Sequence, residues 1–150
     1  MFLSVLVVSR TASLLNQMVK SINNATKLKP ENLEILCSWN GSESEIEKIY
    51  KDSHYKINIA QKEKYNFASN INNLTRKSKG ELILIINDDV ILDSKSIDSA
   101  VECLQAIKNA GLIGSRLRDK KNRITHAGIL FNIFNSPYHR LEGLVNADHI

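Results

Sequence analysis

Leu82-Ile83-Leu84-Ile85-Ile86-Asn87-Asp88-Asp89 is the stretch from which the rest of the chain is read. Continuous apolar character over Leu82–Ile86 predicts a strand covered on both faces. The chain then turns polar at once and resumes apolar character at Val90-Ile91-Leu92, which places the acids at a pocket rim. Two adjacent carboxylates repel each other at close range, so leaving both charged and unpaired is unfavourable. A divalent cation relieves this. Mn2+ or Mg2+ takes oxygen ligands and keeps positions open for phosphate oxygens. A metal held by one carboxylate can bridge a diphosphate and stabilise its charge as it leaves. The other carboxylate can accept hydroxyl hydrogen bonds from a ribose or sugar. The bland reading is a plain turn, in which Asn and Asp cap backbone groups.

Outward from this stretch, strand and helix patterns alternate. Leu3–Val8 reads as a buried strand leading into Ser9-Arg10-Thr11. Leu15, Met18, Val19 and Ile22 recur at helical spacing, with Thr11 or Ser13 as cap and an end near Asn23. Leu33–Cys37 is a second strand, followed by a turn containing Asn40-Gly41. Ser42 and Glu45 have the spacing of a capping box. Tyr55–Ile59 suggests a third strand, and Asn66–Ser78 a helix ended by Gly80. After the acidic pair, Ser94 or Ser96 opens a helix with Ile97, Ala100, Val101, Leu104 and Ile107 on one face. Leu112–Gly114 reads as a short strand, and Arg123–Phe134 as extended or mixed. The alternation predicts an α/β, Rossmann-like sandwich with a mostly parallel central sheet. Such sheets bind ligands beyond the carboxyl ends of their strands.

The 150 residues suit one domain, and 43% apolar content supports an ordinary core. The net charge of +4 comes from scattered residues and forms no basic stripe. No zinc-finger spacing or aromatic-basic interleaving points to nucleic acid. Cys37 and Cys103, both in apolar surroundings, read as two buried free thiols of a reducing compartment. The apolar start has no basic leader or small-residue cleavage site, and no run reaches membrane-spanning length. A cytoplasmic chain is expected. No glycine-rich loop of dinucleotide or P-loop type occurs, and the six glycines are dispersed.

Taken together, four segments resemble the family 2 glycosyltransferases of GT-A fold. VLVVSRTASLLNQMVKSI is similar to that family's opening strand and helix, and Asn40-Gly41-Ser42 to its Asp-Asn-Gly-Ser turn. NFASNINNLTRKSKGELILIINDDVIL is similar to its helix, glycine, strand and metal motif. AGLIGSRLRDKKNRITHAGILF resembles a segment of O-antigen and rhamnose-type transferases.

The resemblance implies a GT-A three-layer sandwich and several site residues. Asp89 would bind Mn2+ or Mg2+, and Asp88 would lie near the ribose or donor sugar. Asn72 falls at a recurrent family asparagine. Ser9 and Arg10 would lie near the base and ribose. Asn87 stands where the family usually has aspartate. Trp39 replaces the acid that contacts the base, so it would stack on the base or be partly buried. The implied partners are a UDP- or dTDP-linked sugar and a carbohydrate or lipid-linked glycan acceptor. The implied setting is bacterial surface polysaccharide synthesis at the cytoplasmic face of a membrane, with peripheral association of the parent protein.

Residues 1–150 would form the nucleotide-sugar-binding domain, with the acceptor half outside the sequence and the fold truncated. Single displacement predicts inversion at the anomeric carbon, with a carboxylate taking the acceptor proton. No motif for that base occurs before Ile150; Glu142 and Asp148 could stand in by chemistry alone. A non-catalytic nucleotide-binding or partner-binding domain of the same fold is the alternative. A receiver-like domain would need a further phosphoacceptor aspartate and a partner lysine, and neither is evident. His126 reads as structural or as a metal or phosphate ligand, and His139-Arg140 as an ordered loop near the cleft or plain surface.

Overall fold

The computed structural model describes residues 1–149. The chain packs as two compact units, Met1–Ser99 and Ala100–Ile150.

The first unit contains β1 (Leu3–Ser9), α1 (Ala12–Ala25), β2 (Leu33–Trp39), α2 (Glu43–Ile46), β3 (Ile57–Lys62), α3 (Phe67–Lys77) and β4 (Leu82–Asn87). The strands form one sheet in the order β3-β2-β1-β4, and all its pairings are parallel. This is the expected α/β architecture. β1 is central and buried along its whole length. Successive side chains of a strand point to opposite faces. Leu6 and Val8 pack with Leu36, Ile71 and Leu74 beneath α3, while Val5 and Val7 are fully buried. The apolar stripe of α1, including Leu15, Met18, Val19 and Ile22, is also buried.

The strand expected to be covered on both faces is the one with an open face. Ile83 and Ile85 are 43% and 53% exposed. α3 packs over β1, β2 and β3, and β4 pairs only with β1 in this sheet. The outer residues of β4 therefore lack the cover that Leu6 and Val8 receive.

Helix starts also differ from the sequence reading. Neither Thr11 nor Ser42 makes a side-chain capping bond. Instead Ala12 N–H donates to Glu45 Oε2 at 3.0 Å, so a carboxylate from α2 meets the N-terminus of α1. The Lys48 ammonium and then this amide hold the Glu45 carboxyl below its ordinary range. α3 does have a local cap, Asn66 Oδ1 accepting from Ser69 N–H at 3.1 Å. Gly80 does not end α3, which closes at Lys77; its N–H donates to Ser4 Oγ at 2.8 Å.

α4 (Ser96–Ala106) begins in the first unit and ends in the second. Of its expected apolar face only Ile97 is buried, and Ile107 is 54% exposed. Cys103 is exposed, against the expectation of two buried thiols; Cys37 is buried. No strand forms at 112–114, where Leu112 is 89% exposed. A short apolar run without a pairing partner has nothing to satisfy its ladder. The second unit holds two antiparallel pairs, β5 (Leu117–Arg118) with β6 (Ile124–His126) and β7 (Ile129–Phe131) with β8 (Pro137–His139).

Candidate functional site

The sheet order places β2 on one side of β1 and β4 on the other, so chain direction across the sheet reverses beside β1. In parallel sheets such a switch point opens a crevice at the carboxyl ends of the strands. The register aligns Ser9 with Trp39 and Val8 with Asn87, bringing three strand ends to one level. A cleft of about 430 Å3 opens there, lined by Ser9, Arg10, Thr11, Asn40, Tyr65, Asp88 and Asp89 among others.

Four expected site residues, Ser9, Arg10, Asp88 and Asp89, are thus brought together. Ser9 is buried, and its Oγ donates to Asp88 Oδ2 at 2.6 Å. This bond spans the switch point and fixes one Asp88 oxygen. Arg10 and Asp89 are exposed in the cleft wall. Asn40 N–H donates to Ser9 O at 2.8 Å, tying the exits of β1 and β2 together. This approach explains Gly41. A Cβ there would lie 2.3 Å from Arg10 O and 2.8 Å from the Trp39 ring, so a side chain would force the two exits apart.

Asn40 also donates through Nδ2 to Glu63 O. Its Oδ1 is buried with no partner among the described residues. A buried acceptor left unpaired costs free energy, which the close tie between the β1 and β2 exits must offset.

Trp39 and Asn72 are not part of the cleft lining. Trp39 is 1% exposed, and its indole N–H donates to Ser42 O at 3.2 Å. The expected stacking of a base on this ring is replaced by a core role, because both sides of the ring are covered. Asn72 is exposed on α3, whereas Asn70, two positions earlier, is fully buried. Asn70 Oδ1 accepts from Asn66 N–H at 2.9 Å, and its Nδ2 reaches Glu63 Oε2 and Lys64 O at 3.4 Å. Gln61 links Ser38 Oγ, at 2.9 Å, to Asn70 O, at 3.2 Å. This buried polar set holds the loop that carries Tyr65 into the cleft.

Sequence reading passed over Tyr65, Asn70 and Gln61. The available signal was an aromatic residue just past a weak strand, with amides on either side of it.

Burial pushes the Cys37 thiol up to about 12, and the nearby Asp88 charge adds to the effect. Cys37 is therefore a neutral thiol behind the site. Glu142 is exposed in the second unit, and Asp148 there accepts from Asn122 Nδ2 at 2.6 Å.

The donor set at the β4 exit fits a hard divalent cation: Asp89 is open to the cleft and Asp88 keeps one oxygen free of the Ser9 bond. Among the described residues no group of three or more His, Cys, Asp or Glu side chains encloses an ion. Phosphate oxygens and water would complete the shell, a common arrangement for Mg2+.

The family model described as glycosyl transferase family 2 matches residues 4–145. No curated protein sequence matches the chain at a significant level. Among solved structures, the mannosyltransferase PcManGT from Pyrobaculum calidifontis, in complex with GDP-Man and Mn2+, superposes with a TM-score of 0.63 at 15% identity. That match covers 80% of this chain and 36% of the mannosyltransferase. S. aureus TarS 1-349 superposes with a TM-score of 0.57 at 15% identity, covering 71% of this chain and 33% of that one. Its complex with UDP-GlcNAc gives a TM-score of 0.58 at 14% identity, covering 79% and 39%. The chain thus spans little more than a third of the solved structures it resembles, and at these identities the likeness is one of fold.

Proposed function

Because the chain belongs to glycosyl transferase family 2, we propose that its first unit is the donor-binding part of a metal-dependent, inverting glycosyltransferase. The donor is a nucleoside diphosphate-sugar, UDP- or dTDP-linked. The acceptor is a carbohydrate or lipid-linked glycan of bacterial surface polysaccharide. The whole protein would work at the inner face of the membrane; among the described residues no helix is long and apolar enough to cross one. The observation that carries the reading is the meeting of Ser9, Arg10, Asp88 and Asp89 around one cleft at the switch point.

Each group has a distinct task in this proposal. Ser9 fixes one oxygen of Asp88, leaving the other to accept a hydroxyl of the ribose or donor sugar. Asp89 would hold Mn2+ or Mg2+, which when bound offsets the charge growing on the departing diphosphate. Arg10 supplies a further positive charge at the cleft wall. Tyr65, 72% exposed, offers the aromatic face for the base that Trp39 does not. A general base for the acceptor belongs to the acceptor side of the reaction.

The test is thermal stabilisation of the full chain by nucleoside diphosphates and their sugars, with and without Mn2+. Stabilisation that needs both nucleotide and metal, and disappears in Asp89→Ala, is expected. A folded sample indifferent to every nucleotide with Mn2+ would sink the proposal. Binding without transfer or hydrolysis, even in a longer chain that includes the acceptor half, would favour a non-catalytic binding domain of the same fold.

A further inference from the structure

The second unit carries two histidines that the donor cleft does not use. His126 ends β6 and His139 ends β8, and their Nδ1 atoms lie 2.9 Å apart. The rings meet edge to face at 74°, with centroids 5.0 Å apart. Both side chains are accessible, His139 more than His126. We propose that the facing Nδ1 atoms of His126 and His139 form a two-imidazole site for a borderline divalent transition metal such as Ni2+ or Cu2+.

The distance itself supports this class of ion. With metal–nitrogen bonds of about 2.0–2.1 Å, two nitrogens at a right angle lie about 2.9 Å apart, and at a tetrahedral angle about 3.3 Å. The observed separation matches in distance the right-angled arrangement of tetragonal and octahedral ions. Zn2+ would require the pair to open by about 0.4 Å. Mg2+ and Ca2+ prefer oxygen donors and are poorly served by two imidazoles.

The backbone holds the pair ready. β7 and β8 pair in register, with Ile129 opposite His139. Arg140 N–H donates to Gly128 O at 2.9 Å, which closes the hairpin just beyond His139 and two residues after His126. Gly128 has φ +105°, a conformation that favours glycine and turns the chain from β6 into β7. Among the described residues no third His, Cys, Asp or Glu joins the pair, so water would fill the remaining positions. Without metal, one imidazole donates its Nδ1 proton to the other. The accepting ring already carries its own proton on Nε2, so metal binding moves only the one shared Nδ1 proton, to the Nε2 of its ring, and leaves both Nδ1 lone pairs for the ion.

The test is equilibrium dialysis of the full chain against Ni2+ in excess Mg2+, which keeps the Asp88-Asp89 cleft occupied. One Ni2+ per chain is expected, with affinity reduced about tenfold or more in His126→Gln and in His139→Gln and unchanged in Asp89→Ala. Should either histidine variant fail to fold, histidine ring NMR signals of the unaltered chain decide instead. Paramagnetic Ni2+ should broaden the rings of His126 and His139 and spare His54. Equal Ni2+ binding in the histidine variants, no Ni2+ binding by the folded chain, or uniform broadening would each overturn the proposal.

Discussion

β1 and β4 are adjacent, parallel and similarly apolar, yet the fold treats them differently. β1 is covered on both faces from end to end, whereas β4 leaves Ile83 and Ile85 about half open. At their carboxyl ends the contrast reverses. β1 contributes Ser9, which is buried and supports its neighbour, while β4 leads into Asp88 and Asp89, the acids that face the cleft. A strand's worth to the core and its worth to the site are therefore separate quantities. Burial follows the number of neighbours a strand has; chemistry follows what leaves its end at the switch point.

The largest expected effect tests the core half of this contrast. Leu6→Ala on β1 should cost about 2–5 kcal/mol, since the side chain is fully buried and leaves a cavity beneath α3. Ile85→Ala, its register partner on β4, should cost about 1 kcal/mol or less. Urea unfolding of the two variants reads this directly, and equal losses would break the contrast.

Next comes the site half. Asp89→Ala should abolish the Mn2+-dependent stabilisation by nucleotide while leaving the unfolding midpoint of the free protein nearly unchanged. Ser9→Ala should act more gently, lowering nucleotide affinity about tenfold or less, because it frees Asp88 without removing it. Calorimetric titration separates the two, and a larger loss at Ser9 would reverse the assigned roles.

The two aromatics provide a smaller, crossed effect. Tyr65→Ala should weaken nucleotide binding by about 1–3 kcal/mol, the range for a lost base stack, with little change in stability. Trp39→Phe should cost about 1 kcal/mol of stability, from the lost bond to Ser42 O, and leave affinity alone. Loss of affinity on changing Trp39 alone would restore the base-stacking role expected from its sequence position.

The effect that is smallest at neutral pH concerns the thiols, because it emerges only above about pH 9. Burial, with the Asp88 charge nearby, raises the Cys37 thiol from an ordinary value of 9.0 to about 12 in the folded chain. Ionisation is thus easier once the chain unfolds. Its contribution is fully present below about pH 9 and is lost between about pH 9 and 12, at up to about 1.4 kcal/mol per pH unit. Cys37→Ala should flatten that part of the pH profile, measured by urea unfolding. At neutral pH a thiol reagent should label Cys103 rapidly and Cys37 only after unfolding.

Much of this was legible in the chain order. Leu3–Val8, Leu33–Cys37 and Leu82–Ile86 all mark strands, because runs of large apolar residues bounded by polar turns leave few other local structures. The helical spacing of Leu15, Met18, Val19 and Ile22 likewise marks the buried face of α1. Ser9, Arg10, Asp88 and Asp89 were accessible as cleft residues because each lies at the end of such a strand or within two residues past it. Trp39 misleads because it ends β2 in the same way, but the close turn at Gly41 folds the indole inward. On α3, Asn70 takes the buried side and Asn72 the exposed one, which sequence position alone does not distinguish.

By itself, then, the sequence determined the alternation of elements, the parallel sheet and the acidic turn, all of which follow from local hydropathy and its period. Only the tertiary structure decided that β1 is central, that β4 has an open face, that Glu45 caps α1 and that Tyr65, not Trp39, lines the cleft. It also brought the Nδ1 atoms of His126 and His139 to 2.9 Å. The physical reason is the same in each case. Hydropathy shows that a side chain leaves water, whereas its partners are set by segments distant in the chain that the fold carries to its side.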